Sequence, residues 1–226
     1  MPNEEVTPGG SRVLRHDVGS QRELGPAHGD PGYIERVNAH VEKYVGTIAM
    51  VWHEIVSAGI HLDVLHVSPT QARPFHTFVT CGMGEKPMTV PQGIKVRFAE
   101  LTLSLPASWP VTREAFADEA NYWPIRWLKN LGRMPLGHNT WLAPGHTVPN
   151  GDPPLPFRPG QRITDFGREE IRCQQLVDGV AEGIAEAVRF IRIRLRDDPL
   201  EGHRGVEHVR TRSRAEGDKS IGISER

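Results

Sequence analysis

The sequence predicts an α+β fold: a mixed, mainly antiparallel sheet flanked by helices, with disordered N- and C-terminal tails. Three observations predict it. Apolar residues recur at helical spacing twice, at Tyr33, Val37, Val41 and Tyr44 and at Trp123, Trp127, Leu131 and Met134. Between these stretches lie short runs that are rich in β-branched residues or alternate apolar with polar, which is the two-residue period of a strand. Glycine and proline, 23 and 19 of the 226 residues, punctuate those runs closely enough for hairpins.

Residues 1–30 mix glycine, proline and charge around a few apolar side chains, too few to offset the entropy of ordering, and are expected to be a disordered tail. A helix begins at Pro31, where a proline suits the first turn, and Gly46 is its expected stop. Ile48 to Val56 and Ile60 to Val64 read as two strands of a hairpin joined by Ser57-Ala58-Gly59. Phe75 to Cys81 is a third strand, closed by Gly82 and Gly84. Phe98 to Leu105 is a fourth, with Ala99, Leu101, Leu103 and Leu105 on one face and Glu100, Thr102 and Ser104 on the other. Thr112 suits the N-cap of a helix through about Ala120. A second helix is expected to start near Pro124 and stop at Pro135. Asn150-Gly151 suits a tight turn. The folded domain is therefore placed at residues 31–157. Residues 158–226 form an atypical arginine-rich segment. A helix over 171–196 carries Leu176, Val180, Ile184 and Val188, and a disordered tail follows it.

The bulk composition excludes several classes. A formal charge of −1 supplies no overall attraction to nucleic acid or anionic membrane. Cys81 and Cys173 make no disulfide framework. The N-terminus has no apolar signal region, and no apolar run reaches the ~20 residues that span a bilayer. A cytoplasmic protein is expected, with no nucleic-acid or membrane partner.

Individual constellations give little chemistry. His53-Glu54 opens like a zinc-protease motif, but the residue four further on is Ser57 instead of a second histidine. His61, Asp63, His66 and His76 are the densest set of metal-ligand types. On a strand only His61 and Asp63 point together, so no metal site is expected. Cys81 ends a strand and reads as a small buried hydrophobe before it reads as a nucleophile. Gly82-Met83-Gly84 lacks the third glycine and the helix of a dinucleotide loop and reads as a turn, so no cofactor is expected. Asp118 and Glu119 read as a solvated helix face. The tryptophans at 123, 127 and 141 fit either a core stripe or an interface hot spot.

Several segments, in order, resemble the suppressor-of-fused domain. They are Val51-Trp52-His53-Glu54-Ile55-Val56-Ser57, Ile60-His61-Leu62-Asp63-Val64 and Thr77-Phe78-Val79-Thr80-Cys81-Gly82-Met83-Gly84 with Pro87-Met88. They continue with Ala99-Glu100-Leu101 and Leu105-Pro106, then Asn121-Tyr122-Trp123-Pro124-Ile125-Arg126-Trp127-Leu128-Lys129. Thr140-Trp141-Leu142 and Gly145-His146-Thr147-Val148-Pro149-Asn150-Gly151 complete the set, so the likeness runs from about Tyr33 to Phe157. It implies a sheet flanked by helices and a non-enzymatic protein-binding module of the bacterial type, whose members are thought to act as immunity proteins that neutralise a toxin by binding it. The partner implied is a toxin or a regulatory protein. Trp123, Trp127, Trp141, His146 and Asp63 are the expected partner-binding residues, and no residue is assigned to catalysis. The alternative is a small metal-dependent hydrolase using His61, Asp63, His76 and His146. The arginine-rich ending after Phe157 departs from the family pattern. A truncated or frame-changed ending would leave an unpaired sheet edge.

Overall fold

The computed structural model describes residues 6, 12–16, 25–54, 57–143, 146–151 and 155–157 with their side chains, and the backbone of three strands at 165–167, 188–196 and 208–211. The elements in chain order are β1 (Val13–His16), α1 (Pro31–Tyr44), β2 (Ile48–Trp52), β3 (Asp63–Val67), β4 (Phe75–Cys81), β5 (Phe98–Pro106), α2 (Glu119–Gly137), β6 (Val148–Pro149), β7 (Asp165–Gly167), β8 (Val188–Arg196) and β9 (His208–Thr211). The main sheet runs β2-β3-β4-β5-β8-β7-β6. Its first four strands are antiparallel, β8 joins β5 in parallel, and β7 and β6 follow antiparallel. This is the expected α+β class.

One helix covers each face of the antiparallel part. On one side α1 places Tyr33, Val37 and Val41 against Leu65, Val67, Val79 and Cys81. On the other, α2 places Trp123, Ile125, Leu128, Leu131 and Met134 against Val64, Phe78, Leu101, Leu103 and Leu105. Each such side chain, fully buried, is worth roughly 1.5–3 kcal/mol. Cover on both faces explains why all five residues of β3 are buried and why its apolar and polar residues do not sort cleanly by face.

Helix α1 forms as its spacing predicts. The Asp30 carboxylate accepts from the Gly32 N–H at 2.9 Å, and Gly46, at a φ of 142°, lets its N–H return to the Val41 carbonyl. Tyr44 leaves the expected stripe and is exposed, with His40 buried in its place. Helix α2 departs from its expected bounds. It starts at Glu119 on an Asp118 cap and runs through both Pro124 and Pro135. Each proline removes one intrahelical hydrogen bond, and the buried inner face of the helix outweighs that loss. Thr112 caps only a short 3-10 turn at Ala115–Ala117.

The hairpin also differs from expectation. β2 pairs with β3 from Ile48↔Val67 to Trp52↔Val64, so its second strand lies three residues later and the connection is longer. Ile60 and Leu62 are buried core residues of that connection, not strand residues. Residues 55 and 56 lie outside the described residues.

At the chain ends the described residues differ from expectation in three places. Within the expected N-terminal tail, Val13–His16 forms β1, which pairs in parallel with β9. Val13 is buried, and Pro26 bridges to Ala58. Within the expected C-terminal tail, His208–Thr211 supplies β9. The end of the helix expected over 171–196 is instead strand β8. There the alternation of Ile191, Ile193 and Leu195 with Arg192, Arg194 and Arg196 carries the period of two. Because β8 lies against β5 from Phe98↔Val188 to Leu103↔Ile193, β5 is not the open edge that a lost ending implied. The rest of the expected helix, 171–187, with Cys173, lies outside the described residues, as do residues 1–5, 7–11 and 17–24 of the N-terminal tail and 197–207 and 212–226 of the C-terminal one.

Candidate functional site

Two groups of polar side chains stand out from this scaffold. The first surrounds Glu100. Its position on β5 falls on the face opposite Leu101 and Leu103, which the alternation marks as polar, yet α1 covers that face and Glu100 is completely buried. Its Oε1 accepts from the Tyr33 hydroxyl at 2.6 Å and from the N–H groups of Gly82 and Gly84 at 2.9 and 3.0 Å. Its Oε2 accepts from the Thr80 hydroxyl at 2.5 Å. Burial pushes its carboxyl up to about 7, against four donors that each pull it down. The Gly-x-Gly turn is thus an anion-holding nest whose anion is the protein's own. A side chain at Gly82, where φ is 127°, would collide with the His61 carbonyl, and one at Gly84 would collide with the Tyr33 hydroxyl. Sequence reasoning missed Glu100 because alternation shows which face is polar but not that a helix covers it.

The second group sits where the β2–β3 connection begins and ends. Asp63, buried at the start of β3, accepts from His53 Nδ1 at 2.9 Å on Oδ2. Its Oδ1 takes His61 Nε2 at 3.1 Å and the Glu54 N–H at 3.1 Å. His61 Nδ1 in turn lies 2.9 Å from the Ser57 hydroxyl. Glu54 is held by Arg133 of α2, and Lys129 of the same helix reaches the Trp52 carbonyl at 3.5 Å. Burial lowers the Lys129 pKa. The order Ser57–His61–Asp63 is that of a nucleophile relay, with Ser57 buried at 7% exposure.

The tetrad of the alternative reading, a metal-dependent hydrolase, is not assembled. His61 and Asp63 do come together, joined by His53. His76 instead pairs with His66, which donates from Nε2 to His76 Nδ1 at 2.9 Å, while His76 Nε2 donates to the Ala107 carbonyl. Burial lowers His76 and takes His66 down to about 4, so both are neutral at pH 7. His146 is buried beneath the Trp141 ring, their centroids 4.3 Å apart, and burial lowers it to about 4 as well. Cys81 is a buried free thiol whose pKa burial raises, which fits a core residue rather than a nucleophile.

The expected partner-binding residues scatter. Trp123 is fully buried, stacked on Phe157 at 4.7 Å, and cannot touch a partner; its place on the inward face of α2 decides this. His146 and Asp63 are buried too, at 8% and 3% exposure. Trp127 and Trp141 keep part of their rings at the surface. Asp118 and Glu119 lie on a solvated helix start as expected, with Glu119 paired to Arg126. Among the described residues no helix is long and apolar enough to cross a membrane.

The chain was compared with known proteins. No curated protein and no solved structure matches it. One family model, described as suppressor of fused protein, matches residues 59–176. That match begins later than the resemblance read from the segments and continues past Phe157, into the arginine-rich stretch that had been read as a departure. It contains the Gly82–Gly84 turn, Glu100, and His61 and Asp63, and spans just over half of the chain. The chain belongs to the suppressor of fused protein family.

Proposed function

We propose that this chain is a non-catalytic immunity protein, which neutralises a toxin by taking an extended segment of it as an added strand along β2. Membership of the family supports a protein-interaction module. The observation that carries the strand-addition reading is the place of β2 at one end of the sheet order, with residues 49 and 50 exposed. A sheet edge presents a row of backbone donors and acceptors to an incoming strand. Met50, 40% exposed, and Tyr44 at the end of α1, 44% exposed, supply apolar contact close by in sequence. The irregular register between Ile48 and Met50 confines regular pairing to Met50 through Trp52.

The test is recovery of a specific partner from the source cell by the tagged chain, followed by measured binding of that partner to a Met50→Asp variant. One partner, bound at least about tenfold more weakly by the variant, is the expected result. The substitution is at an exposed position, so stability should change by less than about 0.5 kcal/mol. Recovery of no specific partner, or undiminished binding by the variant, would overturn the reading.

A further inference from the structure

We propose that His53, His61 and Asp63 form a binding site for a divalent transition metal of the zinc class, which clamps the two ends of the β2–β3 connection together. The imidazole nitrogens and the carboxylate oxygen all lie within 4.8 Å of one another. Two of the separations, 2.9 Å from His53 Nδ1 to Asp63 and 3.1 Å from His61 Nε2 to Asp63, are already close to the ligand–ligand spacing around an ion with bonds of about 2.0–2.2 Å. Two imidazoles and one carboxylate are a ligand set that suits zinc and iron(II) and leaves coordination positions open. The two contacts fall on different oxygens of the carboxylate, Oδ2 for His53 and Oδ1 for His61, so Asp63 stands between the two imidazoles. His53 lies beyond the end of β2 with its side chain 71% exposed, so it can move without disturbing the core.

The surroundings are those of a supported ligand set. A metal-bound imidazole donates its other ring N–H to a neighbour that fixes its orientation. Ser57 is that neighbour for His61, its hydroxyl 2.9 Å from Nδ1. A hydroxyl both donates and accepts. Without metal it donates to Nδ1 while Nε2–H donates to Asp63. With metal on Nε2, it accepts from Nδ1–H, so the Ser57–His61 hydrogen bond is kept while the metal replaces the Nε2–H donated to Asp63. The Glu54 N–H on Asp63 Oδ1 holds the carboxylate in place, and the Arg133 pair with Glu54 ties that segment to α2. Exposure of His53 puts the open positions on the solvent side, where water completes the shell.

The inference is independent of the strand-addition reading, since it needs no partner. The experiment titrates untagged full-length chain with Zn(II) by calorimetry and with Co(II) by visible absorption, alongside His53→Ala, Asp63→Asn and Ser57→Ala. The expected result is about one Zn(II) per chain and a Co(II) spectrum of a nitrogen- and oxygen-ligated site. His53→Ala, which removes an exposed side chain, should weaken binding at least tenfold, as should Asp63→Asn. Ser57→Ala should weaken it about tenfold through loss of orientation alone, with the Co(II) spectrum retained. Thermal unfolding should shift upward with Zn(II) in the native chain but not in His53→Ala. No saturable Zn(II) binding, or binding that His53→Ala leaves unchanged, would overturn the proposal.

Discussion

Glu100 shows how much one residue can hold together. Its carboxylate joins α1 through Tyr33, β4 through Thr80 and the glycine turn through two N–H groups. Glu100→Ala would leave four buried donors without their acceptor, at roughly 1–3 kcal/mol each before relaxation. A loss of about 4 kcal/mol or more is expected in urea unfolding. Glu100→Gln should cost only about 1 kcal/mol. Its oxygen keeps the three donors on one side, and its amide can donate to Thr80 once that hydroxyl turns toward the Leu101 carbonyl, 3.5 Å away. Equal damage from both variants would show that the clasp does not depend on acceptor geometry. Gly82→Ala combines a positive φ with a collision against backbone, so it should destabilise by more than about 2 kcal/mol. The same denaturation assay measures it.

Of the two α-helices, α2 is the one whose ends sequence rules misplaced. Proline is a good marker of a first turn and of a stop, and both rules were applied to prolines that lie inside the helix. The actual start is fixed by Asp118, which accepts from the Ala120 N–H at 2.9 Å. Asp118→Ala should therefore cost about 1 kcal/mol as a lost cap. Glu119→Ala, which breaks only an exposed pair with Arg126, should cost less than about 0.5 kcal/mol. Comparable losses at both positions in thermal melts would place the helix start elsewhere. The strands divide in the same way. β4 and β5 were legible because their boundaries coincide with Gly82 and with Pro106. β8 was not, because the helical stripe at 176, 180, 184 and 188 ran into it and masked the shift to a period of two after Val188.

Over the whole molecule the ionisable groups set opposing dependences on pH. Burial lowers His16, His40, His66, His76, His138 and His146, with His66 and His146 at about 4. Below a pH of about 6.5 the unfolded chain binds protons that these folded-state imidazoles refuse, so their contribution to stability is lost as the pH falls from 6.5 toward 4. The His66 shift alone corresponds to about 2 kcal/mol after allowance for residual solvent. Glu100 works the other way. Its folded-state pKa of about 7 lies above the ordinary 4.5, so the folded chain holds the extra proton and gains stability as the pH falls through that window, by about 3 kcal/mol. Burial raises Glu85 as well, in the same direction as Glu100, and six histidines outnumber these two carboxyls, so net stability should fall between pH 7 and pH 4.5. The fall should be steeper in Glu100→Gln, which removes that residue's opposing contribution. Urea midpoints at several pH values check both statements, and a flatter profile in the variant would contradict the assignment of Glu100.

The amino-acid sequence by itself determined the α+β class, α1, β4, β5 and the family likeness, because periodicity and turn residues are local properties that a short window contains. It also put His61 and Asp63 side by side, since residues near one another in the chain can be placed without knowing the fold. The tertiary structure alone decided that Trp123 is core, that Glu100 is enclosed, that His53 joins His61 and Asp63, and that His76 and His146 go elsewhere. It alone also paired β1 with β9 and β5 with β8, across most of the chain in the first case. The physical reason is common to all of these. A sequence pattern states which side of an element is apolar or polar, whereas burial and partnership depend on which distant element comes to lie against that side.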